Sequence, residues 1–146
     1  MSAVGSERSR SPRTFFDANI LIYAEDSADL VKQKKAIDAV VHHAQQRTGV
    51  VSPQVLGEYF NVVTRKLRLD PGIAKSQAEF FSRMHLVEPT LADVFSAMDL
   101  HRLHHIQYWD CLIIQCAEQS GCSVLLSEDM QHGRVINGVR IVNPFL

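Results

Sequence analysis

Residues 14–24 read Thr-Phe-Phe-Asp-Ala-Asn-Ile-Leu-Ile-Tyr-Ala, a short apolar run that breaks at Asp17. This pattern predicts a buried strand that ends at an acidic turn, with a helix or helical turn starting at Ile20. An unpaired carboxylate directly after a buried strand is costly to desolvate, so Asp17 needs a cation, hydrogen-bond donors or water around it. The alternative interpretation is an aspartate that only caps a turn.

Beyond this first strand, predicted helices and strands alternate to the end of the chain. Helices are predicted over residues 28–46, 53–67, 73–84, 91–105 and 108–120. Short strands are predicted over residues 50–51, 85–88, 123–126 and 139–142. Such alternation is typical of a mostly parallel sheet with helices on both faces, a three-layer α/β/α fold.

Length and composition predict one domain. The 146 residues suffice for a single core, with residues 14–146 as the domain and polar residues 1–13 as a flexible tail. This tail has no hydrophobic segment of the kind found in signal peptides. The net charge of -1 neither indicates nor excludes nucleic acid, because a nucleic-acid partner requires only a local basic patch.

Two absences narrow the class of protein further. No apolar run approaches the roughly 18 residues that a membrane span requires. The three cysteines are odd in number and form no C-x-x-C pair, which argues against a zinc site and a disulfide framework. We therefore expect buried thiols in a cytoplasmic protein.

Three further carboxylates are candidates for the same site as Asp17. Asp129 follows the predicted strand at 123–126. Glu58 lies at the edge of the apolar stripe of its helix, where pairing with Arg65 is the alternative role. Asp110 opens a helix, where the helix dipole alone would favour a carboxylate.

All four carboxylates are expected at one edge of the sheet, where ligands bind beyond the carboxyl ends of the strands. Their mutual repulsion would be severe without a cation, and an oxygen ligand set suits Mg²⁺ or Mn²⁺. We expect Asp17 and Asp129 to ligate the ion directly, with Glu58 or Asp110 acting through water or as general base. Asn19 and Ser127 are close enough in sequence to add a neutral oxygen or to orient a ligand.

Several segments, taken together, match one family pattern. They are Asp17-Ala-Asn19, Glu58 after Ser52-Pro53, Tyr108-Trp-Asp110-Cys-Leu-Ile, Ser127-Glu-Asp129 and the terminal Val142-Asn-Pro-Phe145. In this order and spacing the chain resembles the PIN-domain nucleases, and most closely the VapC-type toxins of bacterial toxin–antitoxin pairs. The resemblance covers residues 15–145. Cys111 departs from the alanine that many relatives carry after the aspartate.

The resemblance implies a five-stranded parallel sheet and a Mg²⁺- or Mn²⁺-dependent endoribonuclease. It carries over Asp17, Glu58, Asp110 and Asp129 as the acidic quartet, with Asn19 and Ser127 as supporting residues. It also implies an RNA substrate, a cognate antitoxin that covers the site, and a homodimer. A PIN-like RNA-processing nuclease without a toxin role and a catalytically silent interaction domain are the alternatives.

Substrate contacts are expected from basic residues near the quartet. Arg65, Lys66 and Arg68 cluster at the end of the Glu58 helix, and Arg102 lies in a histidine-rich segment before Asp110. Each could bind phosphate, or could instead be a solvated charge at a helix end. An aspartyl-nucleophile phosphatase would carry a second aspartate two residues after the first, and this chain has Asn19 there.

Overall fold

The structure, a computed structural model, describes residues 12–146. Most of the tail expected over residues 1–13 lies outside this range. The first strand begins at Arg13, one residue before the expected domain boundary, and the Arg13 guanidinium donates a hydrogen bond to the Ser120 carbonyl at 3.1 Å. No helix within residues 12–146 is long and apolar enough to cross a membrane.

The elements follow the expected alternation of strands and helices. The strands are β1 Arg13–Phe16, β2 Gly49–Val51, β3 His85–Leu86, β4 Cys122–Leu126, β5 Val135–Ile136 and β6 Val139–Val142. The helices are α1 Ala18–Tyr23, α2 Leu30–Gln46, α3 Pro53–Arg65, α4 Pro71–Phe81, α5 Leu91–His104 and α6 Tyr108–Gln119.

The strands form a single sheet in the order β3-β2-β1-β4-β6-β5. All neighbours pair in parallel except β5 and β6, which form a short antiparallel hairpin. The mostly parallel α/β fold is therefore confirmed, but the strand count of five was too low. The extra strand is β5, which has only two residues and no alternation long enough to be read from sequence.

Local sequence explains where the helices next to the sheet begin. Ser52 accepts a hydrogen bond from the Val55 amide, and Pro53 occupies the first turn of α3, where a missing N–H costs nothing. Thr90 and Asp93 exchange side-chain and backbone hydrogen bonds in a capping box at the start of α5. These capping hydrogen bonds explain why α3 begins after Ser52 and α5 begins after Thr90.

The core is centred on the two middle strands. Phe15, Phe16 and Leu125 are fully buried there, together with Tyr59 from α3. Because β1 and β4 are parallel neighbours, their carboxyl ends meet at one edge of the sheet, with Phe16 opposite Leu126. The residues that follow these two strands are thereby brought together.

Candidate active site

Asp17 is the buried centre of a polar cluster at this sheet edge. Its side chain is only 5% exposed. One carboxylate oxygen accepts from the Ala18 amide at 2.7 Å, and the other accepts from the Ser127 hydroxyl at 2.8 Å. Asp17 is the N-cap of α1, so the turn-capping role and the site role fall on the same residue.

Asn19 links the ends of β1 and β4. Its amide nitrogen lies 3.2 Å from the Asp17 carboxylate and 3.1 Å from that of Asp129, so it can donate to both. Its carbonyl oxygen accepts from the Glu128 amide at 3.1 Å. The Ser127 hydroxyl also accepts from the Asp129 amide at 3.2 Å. Two loops far apart in sequence are therefore held by side-chain hydrogen bonds.

The helical carboxylates are held less firmly. Asp110 lies half-buried in the first turn of α6. Glu58 is exposed on α3, outside the edge of the buried stripe where sequence analysis expected it. It accepts a hydrogen bond from Gln54 at 3.0 Å, one turn earlier, and forms no ion pair with Arg65.

The four carboxylates affect one another electrostatically. Burial raises the pKa of Asp17 from 3.8 to about 6, against the lowering effect of the Ser127 and Ala18 hydrogen bonds. The charges of Asp110 and Glu58 raise it further. Burial, followed by the charges of Asp129 and Glu58, also raises the pKa of Asp110. All four carboxylates therefore face one region of negative potential.

The chemistry of these residues fits a hard divalent cation. Every candidate donor is a carboxylate, hydroxyl or amide oxygen, the ligand type that Mg²⁺ and Mn²⁺ prefer. None of the four carboxylates is in an ion pair within residues 12–146. No three acidic, histidine or cysteine side chains in this range are close enough to ligate one ion as they stand. Asp110 and Glu58 would have to move toward the strand-end cluster to complete such a site.

A cavity of about 180 Å³ adjoins the carboxylates. Its walls include Asp110, Asp129, Gln131 and Arg134. A larger cavity of about 450 Å³ lies between the ends of α2 and α4, beside the first residues of β2 and β3. This is the amino-terminal edge of the sheet, and no carboxylate lines it, so the smaller cavity is the better candidate for the reaction site.

The basic residues predicted to bind RNA do not line the acidic cavity. Arg65, Lys66 and Arg68 are exposed at and beyond the end of α3, at least two helical turns past Glu58. Arg102 is exposed and pairs with Asp99 at 3.1 Å. The cavity is lined instead by Arg134, which sequence analysis missed. Its only sequence signal is a basic residue five positions after Asp129.

Buried thiols were expected, and the structure agrees. Cys111, Cys116 and Cys122 are all buried and free. Burial is the main cause that raises the pKa of each thiol, to about 12 for Cys116. The thiolate form is thereby disfavoured, so these side chains act as small apolar groups.

The fold and the site define a mostly parallel α/β protein with carboxylates gathered beside the carboxyl edge of its sheet. The PIN domain profile matches residues 14–136. The chain belongs to the PIN domain family, which supports a nuclease activity. Among curated proteins, no sequence matches significantly.

The solved structures of similar fold include a VapC toxin and toxin–antitoxin complexes. The Mycobacterium tuberculosis toxin VapC20, which cleaves the sarcin–ricin loop, is 14% identical, with a TM-score of 0.63 over 77% of this chain and 86% of that one. A toxin–antitoxin complex from Klebsiella pneumoniae is 18% identical, with a TM-score of 0.65 over 90% and 97%. VapBC2 from Rickettsia felis, bound to a DNA fragment from its promoter, is 18% identical, with a TM-score of 0.65 over 88% and 96%.

Proposed function

We propose that this protein is a Mg²⁺- or Mn²⁺-dependent endoribonuclease and the toxin of a type II toxin–antitoxin pair. The observation that carries the proposal is the buried Asp17 carboxylate, whose pKa is raised to about 6 beside three further carboxylates. Such a cluster is poorly solvated and repulsive by itself, and a bound cation relieves both costs. The three free, buried cysteines are consistent with a cytoplasmic protein.

The roles of the acidic quartet follow from how firmly each member is held. Asp17 and Asp129, both bonded to Asn19, are the direct metal ligands. Ser127 orients Asp17 by donating a hydrogen bond to its carboxylate at 2.8 Å. When bound, the cation supplies charge neutralisation at the phosphate and a lowered pKa for the attacking water.

The two remaining carboxylates have different roles. Asp110 has a raised pKa and lies half-buried at the cavity, which suits a general base that takes a proton from water. Glu58 is exposed on α3, so it completes the ligand shell through water. The phosphodiester bond to be hydrolysed would lie at the cavity, beside these carboxylates.

Two partners belong to the proposal. An antitoxin that covers the acidic site is suggested by the similar structures described as toxin–antitoxin complexes. A homodimer is supported by an apolar stripe on α5, where Leu91, Phe95 and Met98 are 69%, 55% and 45% exposed. These positions are spaced four and three residues apart, so they lie on one face of the helix. Sedimentation velocity of wild type and Phe95→Glu would test the dimer.

RNA cleavage by purified protein tests the enzymatic part of the proposal. We expect wild type to cleave RNA in Mg²⁺ or Mn²⁺ and to stop in EDTA, and Asp17→Asn to lose about 10³-fold in rate. Asp38→Asn is the matched control, because it makes the same chemical change at an exposed residue of α2 that pairs only with Lys34. Cleavage that survives in EDTA or in Asp17→Asn would exclude this mechanism.

Growth after induced expression tests the toxin part. Wild type should slow growth, and Asp17→Asn at equal soluble level should not. Cleavage in vitro together with normal growth would instead favour an RNA-processing nuclease. Absence of cleavage by folded protein would favour a silent interaction domain, and sequencing of RNA ends in expressing cells would identify the target.

A further inference from the structure

We propose that Arg134 is the substrate-binding residue that holds a phosphate of the RNA backbone next to the acidic site. Arg134 lines the same cavity as Asp110 and Asp129, yet it forms no ion pair within 4.0 Å with either. The inference rests on the proposed ribonuclease function and specifies how its substrate is bound.

The charge of Arg134 is left uncompensated by its neighbours. Its guanidinium lies 3.3 Å from Nδ1 of His104 on α5. Because arginine can only donate, His104 must accept at Nδ1 and therefore carries its proton on Nε2. A neutral acceptor orients the guanidinium without neutralising it. The half-buried cation thus remains available to an anion in the cavity.

The backbone around Arg134 is fixed by the hairpin that follows the Asp129 loop. The Arg134 carbonyl accepts from the Ile141 amide at 2.9 Å, and the Gly133 amide donates to the Ile141 carbonyl at 2.8 Å. The Arg134 amide donates to the Gln131 carbonyl at 3.3 Å. The side chain therefore starts from a defined backbone position directly before strand β5, so little ordering of the backbone is needed when a ligand binds.

An RNA phosphate is the anion that matches this arrangement. The guanidinium fork donates two parallel hydrogen bonds to phosphate oxygens. The carboxylates that line the same cavity repel a polyanion, so a positive charge is needed there to keep the RNA backbone against the site. Arg134 also links the cavity to the end of α5 through its contact with His104.

The test is RNA binding by fluorescence anisotropy, with an end-labelled, unstructured single-stranded oligoribonucleotide in EDTA so that binding is read without cleavage. Each phosphate contact contributes about 0.7 to the slope of log Kd against log salt for single-stranded nucleic acid. We expect Arg134→Met to weaken binding about fivefold at 0.1 M salt and to lower the slope by about 0.7. Arg134→Lys should keep the slope and recover part of the affinity.

Arg140→Met is the matched control, because Arg140 lies on the same hairpin, is exposed and does not line the cavity. It should bind as wild type does, and far-ultraviolet circular dichroism should show that both methionine variants are folded. An unchanged salt slope in Arg134→Met, an equal loss in Arg140→Met, or wild type that does not bind the RNA would each overturn the inference. Failure of the proposed nuclease function would appear separately, as RNA that is bound but never cleaved in Mg²⁺ or Mn²⁺.

Discussion

Two aspartates in different parts of the molecule are equally hidden from solvent and behave in opposite ways. Asp17 at the sheet edge and Asp93 at the start of α5 are each 5% exposed. The pKa of Asp17 is raised to about 6, chiefly by burial. Burial also acts to raise the pKa of Asp93, but hydrogen bonds from Thr90 and Gln115 outweigh it and the pKa is lowered.

The surroundings of the two carboxylates explain this difference. Asp93 accepts from the amide and hydroxyl of Thr90 and from the side chains of Gln115 and Gln119, all neutral donors. Asp17 lies deeper in the protein and has fewer donors, and like charges from other elements face it. Burial of a carboxylate therefore does not mark a functional site. A candidate functional carboxylate is one that is buried and whose neighbours disfavour its charged form.

The largest expected effect is on the pH dependence of stability in metal-free protein. Protonated Asp17 stabilises the fold fully below its unfolded pKa of 3.8, and this contribution is lost as the pH rises through about 6. In EDTA, the difference in free energy of unfolding between wild type and Asp17→Asn should change by about 2.5 kcal/mol from pH 4 to pH 8. Denaturant titrations measure it.

Asp93 provides the comparison for that measurement. Its folded pKa is lowered, so its contribution is present at neutral pH and lost as the pH falls through the acid range. The difference between wild type and Asp93→Asn should therefore have the opposite pH slope. If the free energy of unfolding changed equally with pH in wild type and in Asp17→Asn, the pKa of Asp17 would not be raised in the folded protein.

The next effect concerns the donors at the sheet edge. Ser127 is fully buried and its hydroxyl donates to Asp17, so Ser127→Ala leaves a buried carboxylate with one donor fewer. We expect a loss of about 2 kcal/mol in the free energy of unfolding at pH 7.5. Ser123→Ala, at an exposed position of the same strand, should change it by less than about 0.5 kcal/mol. Equal effects at the two serines would contradict this assignment.

The smallest expected effect is on the free energy by which bound Mg²⁺ stabilises the folded protein. Saturating Mg²⁺ should raise the melting temperature of wild type, because the ion binds only the folded state. Asp110→Asn should weaken Mg²⁺ binding about tenfold, which lowers this stabilisation by about 1.4 kcal/mol at the same concentration. Asp93→Asn should keep the full stabilisation by Mg²⁺. If Asp93→Asn and Asp110→Asn lose it equally, Asp110 has no special role in binding the ion.

That Asp17 and Asp129 lie at one edge of the sheet could be predicted from the sequence, for a physical reason. Asp17 and Asp129 each follow an apolar strand, and parallel neighbours must end at the same edge. Sequence reasoning did less well with Glu58, because a helical wheel gives an angle around α3 but not how far the helix stands from the sheet. The position of Arg134 at the cavity could not be predicted, because a loop leaves no periodic pattern in the sequence.

The same limit explains the miscounted strands. The two residues of β5 are held by the turn at Asn137 and Gly138, both of which have positive φ, rather than by a hydrophobic pattern of their own. The longer elements, by contrast, were predicted to within a few residues. Where stability comes from a repeated apolar face the sequence is informative, and where it comes from one turn or one cavity it is not.

The bond between Asp17 and Ser127 joins residues 110 positions apart in the chain. Until the last strands have emerged from the ribosome, the first strand has no partner on its β4 side and the acidic loop of Asp129 does not exist. The acidic centre therefore comes together only after the residues of β4 and of the Asp129 loop have been synthesised.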